Sequence, residues 1–324
     1  MTFAAIALIT IVSCTEADER RIYPCHRLAQ APVIDGKLDD EAWNNIPEAT
    51  GFYIFNNGRE KKYAVEKQTY FKAGWTDDAI YLLVRAEESQ PEKLIAKVKG
   101  NNLWSDDSIE VFLWPVGASK HTQLVANSFG SRCNGVGTEM VNLKEWEAKA
   151  VVGKTEWVLE LRIPFDVLAA KTPKEGDEWP ANVARNMLND PSDELNTCWP
   201  FLVTGFHDVA NFGCFIFKGK DGDNVISEEN KINRSYMQYA HEEIKKMADL
   251  AGKYRKNLAE VSKCGEQGTE ADNLGQIWDQ VRKLAAQSEP KYRELMPVSR
   301  ASVTLRQRSD DCIAREGLKA LFGK

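Results

Sequence analysis

Residues 100–115 read GNNLWSDDSIEVFLWP, which sets two tryptophans and three carboxylates within sixteen positions. In the segment SIEVFLW (108–114), Ile109, Val111 and Leu113 fall on one side of an extended chain. Glu110, Phe112 and Trp114 fall on the other. A two-residue period is the signature of a strand with two different faces. One face suits a core. The other puts a carboxylate between aromatics, beside a polar turn that carries Trp104, Asp106 and Asp107.

The same alternation extends outward in both directions. AIYLLVRAEE (79–88), WEAKAVV (146–152) and EWVLELRI (156–163) each alternate, and in the last Trp157, Leu159, Leu161 and Ile163 oppose Glu160 and Arg162. Turn signals divide the runs at Asp77-Asp78, Gly153-Lys154-Thr155 and 174–177. Several short strands with no long helix between them predict a mainly β protein, a β-sandwich of the immunoglobulin or jelly-roll kind, over residues 20–218. Beyond 219 the period changes. Met237, Ala240, Ile244, Met247 and Ala251 recur at helical spacing, as do Leu274, Ile277, Trp278, Val281 and Leu284. This predicts an α-helical extension over 219–324.

The 324-residue chain has a net charge of −6 and 43% hydrophobic residues, the balance of a globular protein with no basic stripe for nucleic acid. Residues 219–324 hold 19 Lys+Arg against 17 Asp+Glu, so the acidic excess lies before them. The first fourteen residues, MTFAAIALITIVSC, are apolar but too short to span a bilayer. They read as an export signal within a 1–19 leader and linker. Ile11-Val12-Ser13-Cys14 resembles a lipoprotein cleavage box that makes Cys14 the lipidated residue, although no Lys or Arg precedes the apolar run. Any membrane contact is expected through that lipid alone. Six further cysteines could form up to three disulfides, with Cys264–Cys312 the favoured pair, and none lies in a CxxC zinc motif.

No nucleophile elbow or metal-ligand spacing stands out around His26, His121, His207 or His241. A haem-binding sandwich would have only His121 and His207 in range as axial ligands, with no CxxCH. Carboxylates are plentiful, so a glycoside hydrolase, or a hydrolase accessory subunit, using Glu110 with Asp106 or Asp107 is the enzymatic alternative. Nine tryptophans are more than a core of this size needs. Trp104 and Trp199 follow polar loop residues, where an indole can stack on the apolar C–H face of a pyranose while neighbouring side chains bond its hydroxyls.

VIDGKLDDEAW, WTDDAIYLLVRAEE, LWSDDSIEVFL, EWVLELRIPFDVL, GDEWPANVARN and WPFLVTGFHDVANFG follow one another in this chain. Together they resemble family 9 carbohydrate-binding modules over about residues 30–217. The resemblance implies a non-catalytic sandwich that clamps a sugar, from oligosaccharide or polysaccharide ends such as those of xylan or cellulose, between two tryptophans. Trp104 precedes Glu110 by six positions and Trp199 follows Asn196 by three, as in the family. Gln123 matches a family glutamine. Arg132 matches an arginine, with Asn127 competing for that alignment. The implied partner enzyme is a separate glycosidase. No cofactor is implied beyond a structural calcium ion, for which Asp106 and Asp107 lack EF-hand spacing.

Overall fold

A computed structural model describes residues 20–55, 65, 67–141, 144–189 and 196–219, together with Asp279 and Lys283. The proposed leader with Cys14, the Cys264–Cys312 pair and nearly all of the expected helical extension lie outside these residues. Asp279 and Lys283 are helical and exposed. The four described cysteines, Cys25, Cys133, Cys198 and Cys214, are buried free thiols.

Thirteen strands form one hydrogen-bonded ribbon among the described residues. They are β1 (Ile22–Arg27), β2 (Tyr53–Ile54), β3 (Thr69–Trp75), β4 (Ala79–Glu87), β5 (Ser108–Leu113), β6 (Thr122–Asn127) and β7 (Arg132–Val136). The rest are β8 (Glu139–Met140), β9 (Glu147–Val152), β10 (Glu156–Pro164), β11 (Glu178–Asn186), β12 (Asn196–Cys198) and β13 (Gly213–Lys218). The spatial order is β8-β7-β6-β5-β11-β13-β1-β3-β4-β10-β9, with β12 and β2 branching from β11. Most neighbours are antiparallel, but β1 runs parallel to both β13 and β3.

The ribbon curls so that its two halves face each other. Val111 and Leu113 of β5 and Leu124 of β6 share one core with Leu82 and Val84 of β4 and Leu159, Leu161 and Ile163 of β10. These are the inward members of the alternating runs, and burial of their apolar surface drives the closure. Trp157 and Trp179 belong to the same core.

Outward residues meet different fates on the two halves. On the β4/β10 half, Trp43 and Leu83 join a second apolar cluster. There Glu160 is buried but satisfied, accepting from Trp43 Nε1 at 3.0 Å and from the amides of Asp35 and Gly36 at 2.9 and 2.8 Å. The acid that alternation places outside thus ties the VIDGKLDDEAW segment to the sheet. On the β5/β6/β11 half, the outward face carries the candidate site.

Candidate functional site

Cross-strand partners share a face. Glu110 on β5 stands opposite Val125 on β6 and Ala184 on β11, and Val125 stands opposite Cys133 on β7. One step along, Phe112 is flanked by Gln123 and Asn182; one step back, Ser108 is flanked by Asn127 and Asn186. Asn186 is in turn opposite Asn196 on β12. Four strands therefore deliver Glu110, Gln123, Asn186 and Asn196 to one outward surface.

At its centre Glu110 is held from both sides. Gln123 Nε2 donates to Glu110 Oε2 at 2.6 Å, and Asn186 Nδ2 donates to Glu110 Oε1 at 2.7 Å. Asn186 Nδ2 also donates to Ser108 Oγ at 3.0 Å. Glu110 is 3% exposed, and Gln123 and Asn186 retain comparable slivers. Burial pushes the Glu110 carboxyl above its ordinary range, and the two amide donors pull it part of the way back. The cluster makes the floor of the candidate site.

The turn before β5 packs beside it. Residues Leu103–Ser105 make one 3-10 turn packed on β5 and β6. Leu103 is buried against Val125 and Cys133, the neighbours of Glu110. Trp104, next in the chain, turns outward and is 37% exposed, one of nine large apolar side chains exposed among the described residues. Asp106 and Asp107 hold this turn. Asp106 accepts from the amides of Lys97 and Val98 and from Asn127 Nδ2; Asp107 accepts from the amides of Ile95 and Leu188. Both are buried and engaged in these bonds, which fix the turn. Among the described residues no three His, Cys, Asp or Glu side chains group as metal ligands.

Two residues expected in the site lie elsewhere. Trp199 is 0% exposed. Its amide donates to Val183 O at 2.8 Å, which continues the β11/β12 register one residue past Cys198 and turns the indole inward. There it meets Phe71 edge-on at 5.2 Å and Tyr23 and Phe215 at 6.5 and 6.1 Å, while the Arg21 guanidinium lies 5.2 Å from the ring. A ring enclosed in this way offers no face to a ligand, which leaves Trp104 as the exposed indole among the described residues. Arg132 is opposite Ala126, a core-facing residue, so it sits on the reverse side of the sheet from Glu110. It pairs at 2.8 Å with the exposed Glu145. Asn127, its alternative, is spent locally, accepting from the amides of Phe129 and Ser131.

Sequence reasoning missed Asn186. A signal was there: in PANVARN, Asn182, Ala184 and Asn186 alternate with the core residues Ala181 and Val183. At the far end of the face His121 Nε2 and His207 Nδ1, the two histidines weighed above as axial ligands, are 2.9 Å apart. Phe112 packs there against Phe206, Phe212 and both imidazoles. Burial, and for His121 the neighbouring imidazole, lower both His values, His121 to about 4. The two rings bond each other directly.

The family model described as carbohydrate family 9 binding domain-like matches residues 34–220, more than half of the chain. Among solved structures, a family 9 carbohydrate-binding module from Caldicellulosiruptor kristjanssonii in complex with glucose is 18% identical, with a TM-score of 0.46. The match covers 62% of this chain and 98% of that one. A module from the same organism in complex with cellotriose is 20% identical, with 63% and 96% covered and a TM-score of 0.45. No curated protein matches the sequence.

Proposed function

The chain belongs to the carbohydrate family 9 binding domain-like proteins, and from that premise we propose that it is a non-catalytic module that holds the ends of oligosaccharides or polysaccharides, such as those derived from xylan or cellulose. The observation that carries this reading is the exposed indole of Trp104 on the turn that packs beside the buried Glu110–Gln123–Asn186 floor. An indole face removes water from the C–H face of a sugar, and the floor supplies fixed acceptors and donors for hydroxyls. Glu110 accepts hydroxyl protons, while Gln123 and Asn196 can both donate and accept. With one indole rather than two, affinity on the order of millimolar to micromolar is expected.

We further propose that the leader exports the chain and that Cys14 anchors it by a lipid at a membrane surface or in the periplasm. There it would work beside a separate glycosidase. The test is calorimetry of the full chain against xylo- and cello-oligosaccharides, with Glu110→Ala alongside. Saturable binding that Glu110→Ala abolishes, with no release of reducing sugar, supports the reading. Silence across the panel overturns it, and turnover lost in Glu110→Gln would replace it with a hydrolase.

A further inference from the structure

We infer that Asn186 is the positioning residue of the sugar site: it fixes the Glu110 carboxylate in the ionised, outward-facing state that accepts hydroxyls. This rests on the sugar-binding reading above.

The geometry is specific. Both protons of the Asn186 amide are used, one on Glu110 Oε1 at 2.7 Å and one on Ser108 Oγ at 3.0 Å. The carboxylate sets which way the amide faces, because the flipped amide would set its carbonyl against it, and Ser108 Oγ accepts the second proton. Gln123 reaches Glu110 Oε2 from the strand on the opposite side. The carboxylate is therefore gripped by two amides from β6 and β11, and rotation about its last bond would break both contacts. Asn186 also stands opposite Asn196 in the β11/β12 register.

Among the described residues no cation bonds Glu110. The described groups facing Glu110 are Val125 and Gln123 from β6, Ala184 and Asn186 from β11, and Cys133 from β7. The Cys133 thiol is pushed up to about 11 by burial and stays neutral. Arg185, the neighbour of Asn186, points to the other side of the sheet and pairs with Glu88. A buried carboxylate held only by neutral amides depends strongly on each donor, since losing one leaves charge without compensation.

The experiment uses the full chain with Asn186→Ala, Asn186→Asp and Ser108→Ala. The carboxyl 13C titration of Glu110 is read without sugar, and cellotriose affinity is read separately. Asn186→Ala should raise the Glu110 midpoint by about one pH unit and weaken cellotriose about tenfold or more. Asn186→Asp keeps the shape but replaces the donor with an acceptor, so it should weaken binding further. A side chain that only filled space would tolerate it. Ser108→Ala, which removes less, should move both readings in the same direction; it alone decides the matter if the Asn186 variants do not fold. An unchanged Glu110 midpoint in the folded variants overturns the inference. A raised midpoint in a protein that binds no sugar at all overturns the sugar reading instead, and with it the role assigned here.

Discussion

A methyl group added at Gly213 would stand 2.5 Å from Cζ3 of the Trp199 indole, closer than carbon atoms approach. The glycine on β13 is thus the seat of a tryptophan delivered by β12, and the two are fitted parts of one core. Trp199→Ala is expected to cost about 3–5 kcal/mol, the usual price of deleting a buried indole. Gly213→Ala should cost about 1–3 kcal/mol through overpacking. Chemical denaturation of both variants checks this; a Trp199→Ala protein of normal stability that has lost only sugar binding would restore the two-indole slot.

Trp104→Ala should behave in the opposite way. Its ring is exposed while its neighbour Leu103 holds the turn, so the variant should melt within a few degrees of the parent. Losing one stacking face should weaken oligosaccharide binding at least tenfold. Calorimetry with a melting curve on the same sample separates the outcomes.

Asp106 supports the turn from below. Asp106→Ala strips the amides of Lys97 and Val98 of their acceptor, along with the buried Asn127 Nδ2. The buried Asn127 donor costs about 1–3 kcal/mol when unsatisfied and the two part-buried amides less, so a loss of about 2–4 kcal/mol is expected, with weakened binding as a consequence. If Asp106→Ala leaves the denaturation midpoint unchanged, the anchoring role is wrong.

The His121–His207 pair makes an acid-sensitive latch on the same face. His121 titrates near 4 in the folded chain and near 6.5 when unfolded, so the unfolded state binds more protons between those values. The stability contribution is complete above about pH 6.5 and is lost as pH falls toward 4, up to about 3 kcal/mol. His207 is shifted in the same direction. His121→Phe, which keeps the aromatic packing with Phe112, Trp114 and Phe212, should flatten the dependence of melting temperature on pH in this window. An equally steep dependence in the variant would remove the latch.

Arg132→Ala should leave sugar affinity unchanged, because its side chain lies across the sheet from Glu110 and its partner Glu145 is exposed. Competitive binding with cellotriose would show a loss if Arg132 reaches the ligand after all.

What the sequence determined by itself was parity within each strand. In SIEVFLW the chain has no choice about which side Glu110 takes once Ile109, Val111 and Leu113 are buried, because side chains alternate with a period of two. The same rule marked Trp157 and its partners as core. Parity does not survive a turn. Gln123 and Arg132 belong to consecutive strands, yet the hairpin between β6 and β7 pairs Ala126 with Arg132 and so sends the arginine to the opposite face. Trp199 lies one residue beyond β12, and only its bond to Val183 decides that the indole goes inward. Asn186 and Glu110 are 76 residues apart and meet because β11 pairs with β5, while His121 and His207, 86 apart, meet where the turn before β13 folds over the start of β6. Alternation is local chemistry; strand register is a property of the closed sheet, and the site is made of register.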